Sequence, residues 1–498
     1  MSAITNSYSQ RFPLDGSARG PSKPKYKNVV AEKISRYAFD HPKVAKTSIV
    51  ALSILLSPIV VPALAIASIG AWVIGVRNGY TPSDSVRKVG RLFTVVFDLL
   101  VPAKCNPKQR LFTQGQGPKG LATVSYEGDL PVLTLKKEEG GDYHYNVGYD
   151  QGYLLADPIQ KMLHKWLDSL LWVAIPDPEK VPHLIEQLQK QIPQEYLDEM
   201  KGIAEGFNQK MKDKKSSHRV KWEQVLLLQL VPDILHSRAW DLEKRLKKEA
   251  VTIGSKIPLP APGCTTILDH DENGHVVFGR NMDWPSLGVA GPCTIMKRRE
   301  CGGKKILEIG TLGLVGTITG ISSELSLAMN VAEGETQNVK GLPASIFNRM
   351  CIENCSSIDE VSHFIQNNPT LGPYHLTVAT EKEGRVFDLY QGKGNKHYQR
   401  SLDQSGRPLV TTNCRYNEDG ANTHHSYSKQ REHNIAQFYQ ANRTHMTGPE
   451  RVQQALALPV VNNNKTVHHA ILYPAQRRMS LAINNSYAAR DQRQDIAV

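Results

Sequence analysis

The sequence predicts a layered α+β fold, and three observations carry that expectation. From about Leu111 onward, short apolar runs bounded by Gly, Asn and Asp read as strands. The clearest is the pair TTILDHD and HVVFGRNMDW around Asp271-Glu-Asn-Gly274, a hairpin with Asn273-Gly274 at its tip. Ahead of that hairpin lie stretches in which apolar residues return every three or four positions, the spacing of amphipathic helices. The chain has 498 residues, 40% hydrophobic and 22% charged, which suits two or three packed domains and not a disordered polymer. Helices before and within a body of antiparallel hairpins form the layers of an α+β architecture.

In chain order, residues 1–46 are rich in Ser, Pro, Lys and Arg and read as a basic flexible tail, with a short helix around Val29–Phe39. Residues 47–76 carry no charge and are long enough to reach across a hydrocarbon core of roughly 30 Å. The polar stretch ahead of them is too long for the leading region of a signal peptide. Pro58 and Pro62 break the run, and Lys43, Lys46, Arg77, Arg87, Lys88 and Arg91 make both flanks positive. Positive flanks favour the cytoplasmic side, so the run reads as a membrane hairpin bent at the prolines, with the soluble body cytoplasmic. A pair of buried core helices is the other reading. After a linker at 77–110, residues 111–263 hold the strands LATVSY and LPVLTLKK. Three helical stretches follow, beginning at Val147, Val181 and Trp222. Residues 264–498 are strand-rich, with a helical part from Pro343 to Asn367 and closing strands at HHAILYP and MSLAINN.

Composition excludes several function classes. The seven cysteines, at 105, 264, 293, 301, 351, 355 and 414, form no CxxC pair, which argues against a disulfide framework or zinc site. No metal and no cofactor is expected. The net charge of +12 does not point to nucleic acid. The most basic loop, KDKKSSHRVK at 212–221, lacks interleaved aromatics and reads as a solvated surface. No G-x-S-x-G, H-E-x-x-H or phosphate-binding loop occurs.

Gly263-Cys264 follows the extended run PLPAP, where no helix can form. A thiol of ordinary pKa about 8.5 is mostly protonated at neutral pH. If the chain were cut before Cys264, the new α-amine, with a pKa of about 7.7–8.0, would supply a base on the same residue. The hairpin brings Arg280 and Asp283 back beside Cys264, where Arg280 would stabilise a thiolate and Asp283 would orient the amine.

The segment GCTTILDHDENGHVVFGRNMDW resembles the start of the nucleophile chain in the linear-amide branch of the N-terminal-nucleophile hydrolases. Isopenicillin-N acyltransferase, acid ceramidase, N-acylethanolamine acid amidase, choloylglycine hydrolase and the phospholipase-B-like proteins share that pattern. ELSLAMNVAEGE and LVTTNCRYN are similar to two family strands that end in asparagines, here Asn330 and Asn413. Arg431, in SKQREHN, falls where the family carries a supporting arginine. VGYDQGYLLADPI and YLDEMKGIAEGFN resemble the propeptide chain of the acyltransferase and phospholipase-B-like members.

The resemblance implies a four-layer αββα sandwich, preceded by a helical propeptide region at 111–263. It implies a chain cut between Gly263 and Cys264 into two pieces that stay associated. The catalytic set would be Cys264, Arg280, Asp283, Asn330, Asn413 and Arg431, with the asparagines stabilising an oxyanion. Beside a membrane, the expected substrate is a small-molecule or lipid acyl compound whose acyl group passes through Cys264 to water or an amine. The rival readings are a phospholipase-B-like lipid deacylase of the same fold and a membrane-tethered adaptor without activity.

Overall fold

The computed structural model describes residues 112–137, 140–162, 181–233, 263–284, 293–332, 340–389, 397–415, 426–442 and 445–498. The expected tail at 1–46, the run at 47–76 and the linker at 77–110 lie outside the described residues. Among the described residues, no helix is long and apolar enough to cross a membrane.

The region ahead of Cys264 begins with β1 (Gly115–Gln116), β2 (Ala122–Glu127) and β3 (Leu130–Leu135). Five helices follow: α1 (Tyr143–Leu154), α2 (Ala156–Met162), α3 (Val181–Gln189), α4 (Gln194–Asp213) and α5 (Trp222–Gln229). The single helix expected from Val147 is broken at Leu155. Pro158 sits in the first turn of α2, where its missing N–H is tolerated, and cannot lie deeper in a continuous helix. Pro193 separates α3 from α4 for the same reason. Helices α1 and α4 approach closely through glycines. A Cβ on Gly148 or Gly152 would lie 2.1 or 2.0 Å from a carbonyl of α4, and one on Gly202 or Gly206 would lie 2.1 or 1.9 Å from a carbonyl of α1.

Beyond Cys264 the elements are β4 (Gly263–His270), β5 (Val276–Asp283), β6 (Thr294–Cys301), β7 (Lys304–Thr311), β8 (Thr319–Ser322) and β9 (Ser326–Val331). Then come α6 (Ala344–Asn354), α7 (Ile358–Asn367), β10 (Tyr374–Ala379), β11 (Gly384–Leu389), β12 (His397–Ser401) and β13 (Leu409–Thr411). The chain continues through α8 (Ser426–Asn442), α9 (Gly448–Ala457), β14 (Thr466–Tyr473), β15 (Arg478–Ile483) and β16 (Gln494–Ala497). Helices α8 and α9 and strands β12 and β16 are absent from the reading of the sequence. For α9 a local signal exists: Thr447 and Glu450 form a capping box, with Pro449 in the first turn.

One sheet runs β1-β2-β3-β6-β7-β8-β9-β10-β11-β12 and the other β13-β4-β5-β14-β15-β16. Strand β3 joins the larger sheet by parallel pairing with β6, so the region ahead of Cys264 supplies strands to the main sheet as well as helices. Leu307, Ile321 and Val386 of the larger sheet share a buried core with Leu268, Phe278 and Leu472 of the smaller, so the sheets stack face to face. The outer face of the smaller sheet, through Ile267, Val277 and Ile471, packs on Ile435 of α8 and on Val452 and Leu456 of α9. The outer face of the larger sheet shares a core with α1 to α7. The order of layers is helices, sheet, sheet, helices.

Candidate active site

Strand β4 begins at the Gly263-Cys264 pair, and alternation assigns its residues to two faces. Cys264, Thr266 and Leu268 face the gap between the sheets, while Thr265 and Ile267 face α8 and α9. The five residues 271–275 return the chain with Gly274 at φ +76°, and Asp271 Oδ1 accepts N–H bonds from Asn273 and His275. In the resulting register Cys264 lies opposite Met282, Gly263 opposite Asp283 and Thr266 opposite Arg280. Arg280 is therefore the diagonal neighbour of Cys264 on the inner face, and its Nη2 lies 3.6 Å from Cys264 Sγ.

The six residues named from the sequence converge, all of them buried. Arg280 Nη1 donates to Met329 O at 2.5 Å and to Asn330 Oδ1 at 3.2 Å. Asn330 Nδ2 donates in turn to Thr411 O at 3.0 Å, across the two sheets. Asn413 Oδ1 accepts the backbone N–H of Cys264 at 2.9 Å, and Asn413 Nδ2 donates to Val331 O at 2.7 Å. The amide oxygen of Asn413 thus serves the cysteine nitrogen. Arg431, on α8, donates through Nη1 to Cys264 O at 2.5 Å and to Thr265 Oγ1 at 2.8 Å, and through Nη2 to Asn413 Oδ1 at 2.7 Å. Its Nη1 lies 3.7 Å from Asp283 Oδ2.

Several supporting residues go unannounced in the sequence. Asp283 is held by Thr466 Oγ1 at 2.6 Å and Asn463 Nδ2 at 2.9 Å, and Ser428 Oγ accepts from Arg431 at 2.9 Å. A second tier ties down the strand before Asn413. Arg400 donates to both oxygens of Asp388 at 3.0 Å, to Val410 O at 3.2 Å and to Thr411 Oγ1 at 3.1 Å. Asp388 also meets His375, the cross-strand neighbour of Asn330. None of these lies in a local pattern. Only the loop ahead of β14 carries a hint, in its polar run Asn462-Asn-Asn-Lys465.

Electrostatically, burial pushes the Cys264 thiol above its ordinary value. Arg280 and Arg431 pull it back down, and Asp283 adds to the rise. Burial likewise lowers Arg280 below the usual guanidinium range. The thiol opens on an apolar cavity whose walls come from both parts of the chain. Met162, Leu228 and Val231 precede Cys264 in sequence, while Met282, Ile318 and Val467 follow it. The arrangement offers a thiol next to a guanidinium, an oriented backbone nitrogen and a mostly apolar cavity beside them. Among the described residues no group of His, Cys, Asp and Glu is arranged to hold a metal ion.

Residues 270–486 match the family model of acyl-coenzyme A:6-aminopenicillanic acid acyl-transferase. The match begins six residues after Cys264. An uncharacterized protein of Archaeoglobus fulgidus is 21% identical over 264 residues, which is 50% of this chain and 42% of that protein's own length. Two solved structures are similar. One is the Caenorhabditis elegans ortholog of N-acylethanolamine-hydrolyzing acid amidase, 18% identical with a TM-score of 0.35, over 42% of this chain and 93% of that one. The other is a mutant of conjugated bile acid hydrolase from Clostridium perfringens, 14% identical with a TM-score of 0.33, over 47% of this chain and 92% of that one. Over residues 270–486, a little under half of its length, the chain is thus similar to an acyl-transferase family.

Proposed function

We propose that this chain is a self-cleaving cysteine amidase or acyltransferase in which Cys264 cuts the bond to Gly263 and is then acylated by its substrate. The observation that carries the reading is that the nitrogen, carbonyl oxygen and sulfur of Cys264 each have a buried polar partner: Asn413, Arg431 and Arg280. In the cleavage step, Sγ attacks the Gly263 carbonyl carbon. The C–N bond breaks to a thioester, and the proton from the thiol passes to the departing nitrogen. Water then hydrolyses the thioester and leaves Cys264 with a free α-amine. That amine answers the problem set by burial, since the thiol is held above its ordinary value until a base is made beside it. Asn413 Oδ1 already holds the nitrogen that becomes the base, and its amide NH2 has a second hydrogen for a developing oxyanion.

The same thiolate would attack a linear amide or lipid acyl carbonyl, with the acyl chain in the apolar cavity, and pass the acyl group to water or an amine. The family whose model the chain matches is an acyl-transferase family, which supports acyl transfer as the reaction class. The two pieces would remain together, because the helices ahead of Cys264 share one core with the larger sheet. Residues 47–76 would hold the body at a membrane.

Intact mass and a denaturing gel test the cleavage. The 55.4 kDa chain should yield pieces of 263 and 235 residues, about 29 and 26 kDa, the second beginning at Cys264. Cys264→Ala should stay whole and inactive. An uncut wild-type chain that still hydrolyses amides would sink the mechanism, and acylation by esters alone would favour a lipid deacylase. Carbonate-resistant pelleting that survives deletion of 47–76 would refute the membrane assignment.

A further inference from the structure

The apolar cavity at Cys264 has a second polar corner that the cleavage chemistry does not use. His468 lies on β14 and Thr294 on β6, in opposite sheets, and His468 Nε2 and Thr294 Oγ1 are 2.8 Å apart. Both residues are buried, both line the cavity, and most of the remaining lining is apolar. The register locates this corner relative to the nucleophile. Cys264 is opposite Met282 and Met282 is opposite His468, so the three form one row across β4, β5 and β14. Strands sit about 4.7–4.9 Å apart, which makes the distance from nucleophile to imidazole about 10 Å.

We infer that His468 and Thr294 form a recognition site for a neutral polar group, a hydroxyl, carbonyl or amide, carried within the acyl part of the substrate about 10 Å from the scissile carbonyl. The inference rests on the reading of Cys264 as the acylated nucleophile and adds the chemistry of what is acylated. The neighbouring residue supplies a contrast. His469 points to the other face with both nitrogens engaged, Nδ1 by Asn281 at 2.8 Å and Nε2 by Arg493 at 3.3 Å. His468 has Nε2 engaged by Thr294, and Nδ1 is left to meet a ligand. Burial and the nearby Arg280 push His468 down to about 3, so the imidazole stays neutral and can donate or accept but cannot pair as a cation with a carboxylate. A pair whose only task was to join two sheets would be matched by apolar residues of the same shape, without the cost of burying a ring nitrogen. A buried polar pair lining a mostly apolar cavity is placed to meet what enters the cavity.

The test uses the full-length, self-cleaved protein and p-nitroanilides of decanoate and its monohydroxy isomers, read as kcat/KM. The hydroxy isomer that reaches the corner, with its hydroxyl roughly eight carbons from the carbonyl, should be turned over about five- to tenfold better than decanoate, the worth of one neutral hydrogen bond. His468→Phe and Thr294→Val should bring that ratio to one, while Thr294→Ser should restore it. The ratio is an internal comparison within each variant, so a loss of folded protein does not mimic the effect. Equal turnover of all isomers by the wild type, or a preference that persists in His468→Phe, overturns the inference and leaves acylation standing. No acyl adduct on Cys264 by intact mass, with any member of the series, overturns both.

Discussion

Among the described residues, two buried arginine clusters differ: one is matched by carboxylates throughout, while the other leaves Arg280 without a carboxylate partner even though Arg431 lies 3.7 Å from Asp283. In the first, between α4, α6 and the larger sheet, every guanidinium meets carboxylates. Arg349 pairs with Glu199 at 2.5 Å and Glu353 at 2.8 Å, and Arg299 forks onto Glu308 at 3.1 and 3.0 Å. Burial alone would lower Arg349, yet Glu199 and Glu353 raise it well above its ordinary value. In the second, at Cys264, Arg280 hydrogen-bonds a backbone carbonyl, an asparagine and the thiol, and among the described residues none of its bonds goes to a carboxylate. Its pKa is lowered by burial in consequence. Charge that is neutralised in place holds elements together. Positive charge left short of a counterion next to a thiol is available to a developing negative charge, which is what catalysis uses.

The comparison is sharpest where one arginine is removed from each cluster. Arg349→Met leaves Glu199 buried without its guanidinium and Glu353 with Arg299 alone, and should cost about 3–5 kcal/mol in urea unfolding. Acid should show the same cluster without mutation. Burial works to raise the Glu353 carboxyl, but Arg349 and Arg299 outweigh it and hold the group at about 2, below its ordinary 4.5. A depressed carboxylate stabilises the fold above about 4.5 and loses that contribution as pH falls toward 2, here about 3 kcal/mol. Glu353→Gln should flatten the stability profile across that window. Arg280→Met should be milder on stability, about 1–3 kcal/mol for the acceptors left unsatisfied. It should, however, slow both Gly263–Cys264 cleavage and alkylation of Cys264 by iodoacetamide, by roughly tenfold or more. A variant of Arg280 as unstable as that of Arg349, with unaltered thiol reactivity, would break the distinction. The smallest effect is expected at the tier behind the site. Arg400→Lys loses the fork on Asp388 and should slow cleavage a few-fold with little change in unfolding midpoint.

Much of the site was legible because its centre is local. The Asn273-Gly274 turn and period-two patterning set the Cys264–Asp283 hairpin, and pairing across it follows from counting residues. The strand ends at Asn330 and Asn413 came from resemblance and not from any physical pattern within them. What stayed hidden depends on segments that meet only after folding. Thr466 and Asn463 sit about 180 residues from the Asp283 they hold. Arg400 reaches Thr411 from a short polar strand, β12, whose sequence HYQRS lacks the alternation that marks a strand. Helix α8 carries Arg431 in a stretch with weak amphipathic order, so its helicity reflects packing of Ile435 and Tyr439 on the smaller sheet.

The sequence by itself determined the hairpin of the candidate nucleophile Cys264 and the alternation of helices and strands, since propensity, turn chemistry and residue period act over a few neighbours. The tertiary structure alone decided which face of β4 looks into the cavity, that Met162 and Leu228 wall it from the region ahead of Cys264, and that His468 stands across Met282 from the thiol. Those facts arise from burying apolar faces of distant segments against one another, a choice set by global packing that no short window of sequence contains.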